Sequence, residues 1–155
     1  MPQTFSDNDF VYSVDMMFAY LKNNDHPISV IKVKEYLDVL EYPGWGDPAA
    51  NIRYSALNVI ETPMKFQDDY KRILTADLTY PIIIADNGYI IDGVHRLSKA
   101  HLEGRDEMKA YFFDENLMKK FIIAEKTEDV WNKIDHMPIY ELIDLYHKNF
   151  CAKSK

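Results

Sequence analysis

The stretch Pro81–Phe113, PIIIADNGYIIDGVHRLSKAHLEGRDEMKAYFF, constrains this chain more than any other. Pro81-Ile82-Ile83-Ile84-Ala85 is a β-branched run that predicts a strand. Asp86-Asn87-Gly88 supplies hairpin chemistry, because Asn and Gly tolerate positive φ. Tyr89-Ile90-Ile91 then returns as a short second strand. Asp92-Gly93 breaks that strand, and a helix is expected from about Val94 to Glu103. Gly104 stops the helix as a C′ glycine does. Met108–Phe113 reads as a third strand.

Chemistry is expected at the strand-to-helix junction, Asp92-Gly93-Val94-His95-Arg96. A glycine there lets the backbone approach a ligand closely. The first turn of a helix leaves several N–H groups without partners, at the positive end of the helix dipole. Such a turn suits an anion, phosphate above all. His95 and Arg96 add donors, and a guanidinium can grip a phosphate with two parallel hydrogen bonds. Each residue also has a plainer reading. Gly93 serves any tight turn. His95 could be a helix-face residue bonded to the sheet, and Arg96 could pair with Asp92 or Glu103. Asp92 could cap the helix by accepting from Val94 or His95, or hold Arg96 or a metal. Ser98 reads as structural, and Lys99 as mainly solvated.

The hairpin followed by DGVHRLSKA resembles the signature of the ParB/sulfiredoxin-like superfamily. The nearest pattern is DGHHR, found in free serine kinases and in many small ParB-like proteins; the partition proteins carry a GERR-type version and bind CTP. The specific motif lies within residues 81–113, and a looser resemblance reaches back to His26. Two departures stand out. Val94 occupies the place where sulfiredoxins carry their catalytic Cys, which excludes that chemistry, and it also replaces the first His of DGHHR. The resemblance implies an α+β fold, a small mixed sheet flanked by helices. It implies that Asp92, Gly93, Val94, His95 and Arg96 bind the phosphates of a nucleotide (ATP, ADP or CTP) with Mg²⁺. His95 would then act in catalysis. Glu41 would act as base toward an acceptor hydroxyl, since the serine kinases place a glutamate in the loop after the first strand. The reaction implied is phosphoryl transfer or nucleotide hydrolysis. The alternatives are a nucleotide-gated interaction module without turnover and a DNA-associated ParB-like protein.

The loop Glu41-Tyr42-Pro43-Gly44-Trp45-Gly46-Asp47-Pro48 is rich in breakers. Trp45 within it is a candidate for stacking on a base or substrate, or else a hydrophobic plug that anchors the loop. Glu41 is equally readable as an exposed loop acid. The acids Asp68, Asp69, Asp77 and Asp86 match no dense metal-ligand loop, so any Mg²⁺ would be held mainly by nucleotide phosphates. The scattered histidines form no zinc pattern, and no protein metal site is expected.

A formal net charge of -7 argues against non-specific duplex binding. An apolar fraction of 47% with 14% aromatics argues for a folded chain. The lone Cys151 supports no internal disulfide. The N-terminus is not expected to act as a secretory signal, and no apolar run approaches a membrane span. These features lead to the expectation of a soluble cytoplasmic protein, a single domain over residues 1–155 with its core at about 26–113 and a helical extension at 114–150.

Elsewhere the pattern is local. Residues 1–10 are expected to be loosely held. Ser13 should cap a helix over Val14–Lys22, and Ile28–Val33 is a strand candidate. Lys34–Leu40 reads as a short helix or turn, and residues 49–61 give mixed signals. Thr62-Pro63 looks like a helix start, continuing to about Leu74 or Ala76. Asp114 should cap a helix over Glu115–Ala124, Thr127 another, and Pro138 should open a last helix through about Asn149. These C-terminal helices are the candidate surface for a protein partner.

Overall fold

The computed structural model describes residues 2–151. In chain order they form β1 (Thr4–Ser6), β2 (Phe10–Ser13), α1 (Val14–Asn23), β3 (Ser29–Lys32), a 3₁₀ helix (Val33–Glu41), β4 (Trp45–Asp47), a short 3₁₀ turn (Pro48–Ala50), β5 (Ile52–Tyr54), α2 (Ala56–Glu61), α3 (Gln67–Thr75), β6 (Ile82–Ile84), β7 (Ile90–Asp92), α4 (Val94–Leu102), β8 (Glu107–Phe112), α5 (Glu115–Lys119), β9 (Ile122–Glu125), α6 (Val130–Asp135), α7 (Ile139–Tyr146) and a π-helical turn (His147–Cys151). The class is α+β, with small sheets and flanking helices. The chain divides into two compact units, Pro27–Phe112 and the pairing of Met1–His26 with Phe113–Lys155.

In the unit Pro27–Phe112 the sheet order is β3-β8-β6-β7. β6 and β7 form the antiparallel hairpin expected around Asn87-Gly88, with Gly88 at φ +87° and the Ala85 N–H donating to Tyr89 O at 2.8 Å. β8 runs parallel to β6 and antiparallel to β3. The α4 helix joins β7 to β8 and ends at Gly104, whose φ of +70° suits its C′ role. Ile31, Ile82, Ile84, Met108 and Ala110 from the sheet meet Leu97 and Ala100 of α4, together with Val33, Leu40 and Ala56, in one buried cluster. A fully buried side chain of this size contributes about 1.5–3 kcal/mol, so this cluster fixes α4 against the sheet and with it the junction at Gly93.

Two expectations in this unit change. Trp45–Asp47 is not loop but strand, paired antiparallel with β5 so that Trp45 faces Tyr54 in register. Gly46 makes this pairing tight, since a Cβ on it would lie 2.3 Å from Ile52 O. Thr62 does not start a helix; it closes α2, with its N–H and its hydroxyl both donating to Asn58 O. Ser55 and Asn58 form a reciprocal capping box one turn upstream, which sets that shorter helix in register. The following helix, α3, begins only at Gln67.

The other unit holds a three-stranded antiparallel sheet, β1-β2-β9. Residues 4–6 and 10–13 are therefore paired strands, where a loosely held N-terminus was expected. Asp7 organises the turn between them: its Oδ1 accepts from the N–H groups of Asp9 and Phe10 at 2.8 Å, and its Oδ2 from the Tyr12 hydroxyl. Ser13 caps α1 as expected, accepting from Met16 N. The helix expected over 115–124 stops at Lys119, and Ile122–Glu125 joins β2 as a strand. Residues 114–150 are thus not wholly helical. Among the described residues no helix is long and apolar enough to cross a membrane.

Candidate functional site

Gly93 sits at φ +116°, and a Cβ placed on it would stand 2.4 Å from Ile82 Cγ2. The glycine is thus required by packing against β6, whatever ligand is present. It is also the N-cap of α4, and no side chain caps that helix. Asp92 does not accept from the Val94 or His95 N–H. Its Oδ2 instead holds Arg96 Nη2 at 2.6 Å, in an i,i+4 pair that is partly buried. The uncapped first turn keeps N–H groups at the positive end of the helix dipole. Arg96 Nε is buried without a hydrogen bond among the described residues. Val94 is half-buried and packs on the core cluster. Further along α4, Ser98 turns back to Val94 O, and Lys99, only partly exposed, donates to Ala76 O, the C-cap carbonyl of α3, at 2.7 Å. Both are structural.

His95 is the point at which three elements meet. Its ring lies flat on Trp45 of β4, with centroids 4.5 Å apart and planes within 16°. Its Nε2 is 3.5 Å from Asp69 Oδ1 of α3. That separation is an ion-pair distance, and the geometry is not that of an aligned hydrogen bond; Nε2 is otherwise buried without a partner. The other oxygen of Asp69 accepts from the Tyr54 hydroxyl of β5. The grip of Asp69 on that hydroxyl, followed by burial and by the charge of the carboxylate, pushes the Tyr54 phenol above its ordinary range. Tyr54 also stacks on Phe66 at 4.3 Å and meets Trp45 edge-on at 6.4 Å. One face of Trp45 is therefore occupied by His95, and the ring packs against the core cluster. The anchor role of Trp45 is visible in these contacts.

Glu41 closes the 3₁₀ helix and is exposed. Its carboxylate makes no hydrogen bond or ion pair with the described residues, and no contact of that kind joins it to the His95 cluster. Asp92, Gly93, Val94, His95, Arg96 and Trp45 are brought together, and Glu41 is not joined to them. Asp69 and Tyr54 enter the cluster without having been singled out as functional. The only sequence signal for Asp69 is its place in an acidic pair, which suggests neither a histidine partner nor a tyrosine donor. No group of three or more His, Cys, Asp or Glu residues able to hold a metal occurs among the described residues. A groove of about 620 Å³, lined by Thr75, Asp77, Thr79, Lys99, Arg105 and Lys109 among others, includes none of the expected site residues.

No protein-family model, no curated protein and no solved structure matches this chain.

Proposed function

We propose that the Asp92–Arg96 turn binds the phosphates of a nucleotide (ATP, ADP or CTP, with Mg²⁺) in a ParB/sulfiredoxin-like domain, and that the chain is a phosphotransferase or nucleotide hydrolase of the cytoplasm. The observation that carries this reading is the start of α4, a nine-residue helix with no side-chain cap and with Arg96 held in its first turn by Asp92. A helix N-terminus of this kind favours an anion through its N–H groups and its dipole together. Arg96 adds a charge-assisted donor whose orientation is set by Asp92 before any ligand arrives. Phosphoryl transfer asks a protein chiefly for positioning and for stabilisation of charge on the equatorial oxygens, which are the services these groups offer. Mg²⁺ would bridge the phosphates and neutralise part of their charge. In this reading Glu41 is a base that must approach from the exposed end of the 3₁₀ helix, and His95 is the base already seated beside the turn.

A second reading, a nucleotide-gated interaction module without turnover, gains from two features. Glu41 stands unconnected to the turn, and α7 presents Ile139, Tyr140 and Ile143 as exposed apolar side chains suited to a protein partner. Duplex DNA is disfavoured as a partner by the net charge of -7.

The test is thermal unfolding with ATP, ADP, CTP and GTP, each with and without Mg²⁺, for the protein and for Arg96→Ala. A ligand at about 100 times its Kd adds roughly 2.7 kcal/mol of stability. The expected result is a shift with one nucleotide that is absent in Arg96→Ala. No shift with any of them would end the nucleotide reading. Where a shift is found, turnover by the unmutated protein selects the enzyme, and its loss in Glu41→Ala assigns the proton of the acceptor hydroxyl to Glu41 in place of His95. Binding without turnover in the unmutated protein selects the interaction module.

A further inference from the structure

We infer that Asp69 is the positioning residue of His95, holding the imidazole so that Nδ1 is the proton-accepting nitrogen of the site. The inference rests on the phosphate reading above and deepens it. Asp69 lies in the first turn of α3, with its side chain 17% exposed. One of its oxygens is taken by the Tyr54 hydroxyl, and the other faces His95 Nε2 at 3.5 Å. An ionised carboxylate only accepts, so the nitrogen turned toward it is the one that carries the hydrogen. Nε2 is buried and has no hydrogen-bond partner among the described residues, whereas Nδ1 is not buried without a partner in this way. Trp45 covers one face of the ring and limits its tilt. Three elements therefore converge on a single imidazole, and their combined effect is to choose its tautomer and its plane.

A histidine serves as general base only if its lone pair points at the proton to be removed. In the proposed transfer the acceptor hydroxyl gives its proton to Nδ1 while its oxygen forms the bond to the terminal phosphorus. The bond from that phosphorus to the bridging oxygen breaks, and its electron pair stays on the nucleoside diphosphate. The imidazolium left behind faces the Asp69 carboxylate through Nε2–H. Asp69 touches no reacting atom, so its contribution is to orient His95 and to balance its charge.

The experiment is nitrogen-15 NMR of the His95 ring in the full chain, without nucleotide, for the protein and for Asp69→Asn. The unmutated protein is expected to show the Nε2–H tautomer. In Asp69→Asn the Tyr54 hydroxyl donates to the amide oxygen, the amide NH₂ faces Nε2, and the ring is expected to turn over to Nδ1–H. Turnover is expected to fall about 10²–10⁴-fold, the range general-base catalysis supplies, with KM for the nucleotide unchanged. The same tautomer in both proteins would overturn the inference. So would an Nδ1–H ring in the unmutated protein, a result that stands even if Asp69→Asn fails to fold. Because the tautomer is read in the absence of nucleotide, failure of the phosphate site and failure of the Asp69 assignment appear as separate results.

Discussion

Gly93 shows how a residue expected for its chemistry can be required by packing. Its φ of +116° excludes most side chains, and a Cβ would press into Ile82 Cγ2 at 2.4 Å. Gly88 and Gly104 also have positive φ, but a Cβ on either would meet nothing within 4 Å. Gly93→Ala should therefore combine backbone strain with overpacking and cost about 2–5 kcal/mol. Gly88→Ala should cost only the strain, about 1–2 kcal/mol. Urea unfolding of the two variants measures the difference. Equal losses would mean that β6 moves aside and that the close approach at Gly93 is not a constraint. Arg96 and Asp92 carry a similar lesson, since the ion pair weighed from the sequence is present and partly buried, and a pair that orients a guanidinium is compatible with a phosphate site beside it.

At the level of elements, legibility followed sequence distance. The β6–β7 hairpin, α4 and β8 are coded by neighbours: β-branched runs, Asn87-Gly88, and Gly104 after the last helical turn. The cap of α1 is equally local, Ser13 reaching Met16. The strands β1, β2 and β9 were not legible, because each is short and β2 finds its partner β9 more than a hundred residues away. The β4–β5 hairpin was hidden by its own glycines and prolines, which read as loop until Trp45 is seen opposite Tyr54. The same reasoning explains the site. The turn was visible as a motif, whereas Asp69 and Tyr54 reach His95 only through the tertiary fold. Tyr54 ties the hairpin to α3, and this gives a pH dependence. Its folded phenol is pushed above the ordinary value of 10.0, so the folded state holds a proton that the unfolded chain releases first. The stabilisation is complete below the unfolded value and is lost as pH rises through the folded one. Tyr54→Phe should lose about 1 kcal/mol at neutral pH and should show a flatter alkaline limb in its unfolding free energy. An identical alkaline limb in the two proteins would mean that the bond to Asp69 does not hold in solution.

On the scale of the whole molecule, continuity of chain separates the two units. Pro27–Phe112 is one uninterrupted segment, while the other unit is assembled from both ends. The buried cluster of Ile31, Ile82, Ile84, Leu97, Met108 and Ala110 comes wholly from the continuous segment, as do all four strands of its sheet. Every residue of the candidate site, Trp45, Tyr54, Asp69, Asp92, Gly93, His95 and Arg96, belongs to it as well. A segment with its own core and its own complete sheet meets the physical requirements of a folding unit, and at this size it is expected to be marginal. The fragment 27–112 should therefore unfold cooperatively at a lower midpoint than the full chain and should give a dispersed amide NMR spectrum. Its β2 counterpart cannot behave this way, because residues 1–26 lack β9 and hold only one hairpin of their sheet, and an isolated hairpin is marginal in water. A collapsed, poorly dispersed spectrum from 27–112 would show that its core needs the remainder of the chain. A dispersed one would make the fragment the simplest protein in which to map phosphate onto the first turn of α4.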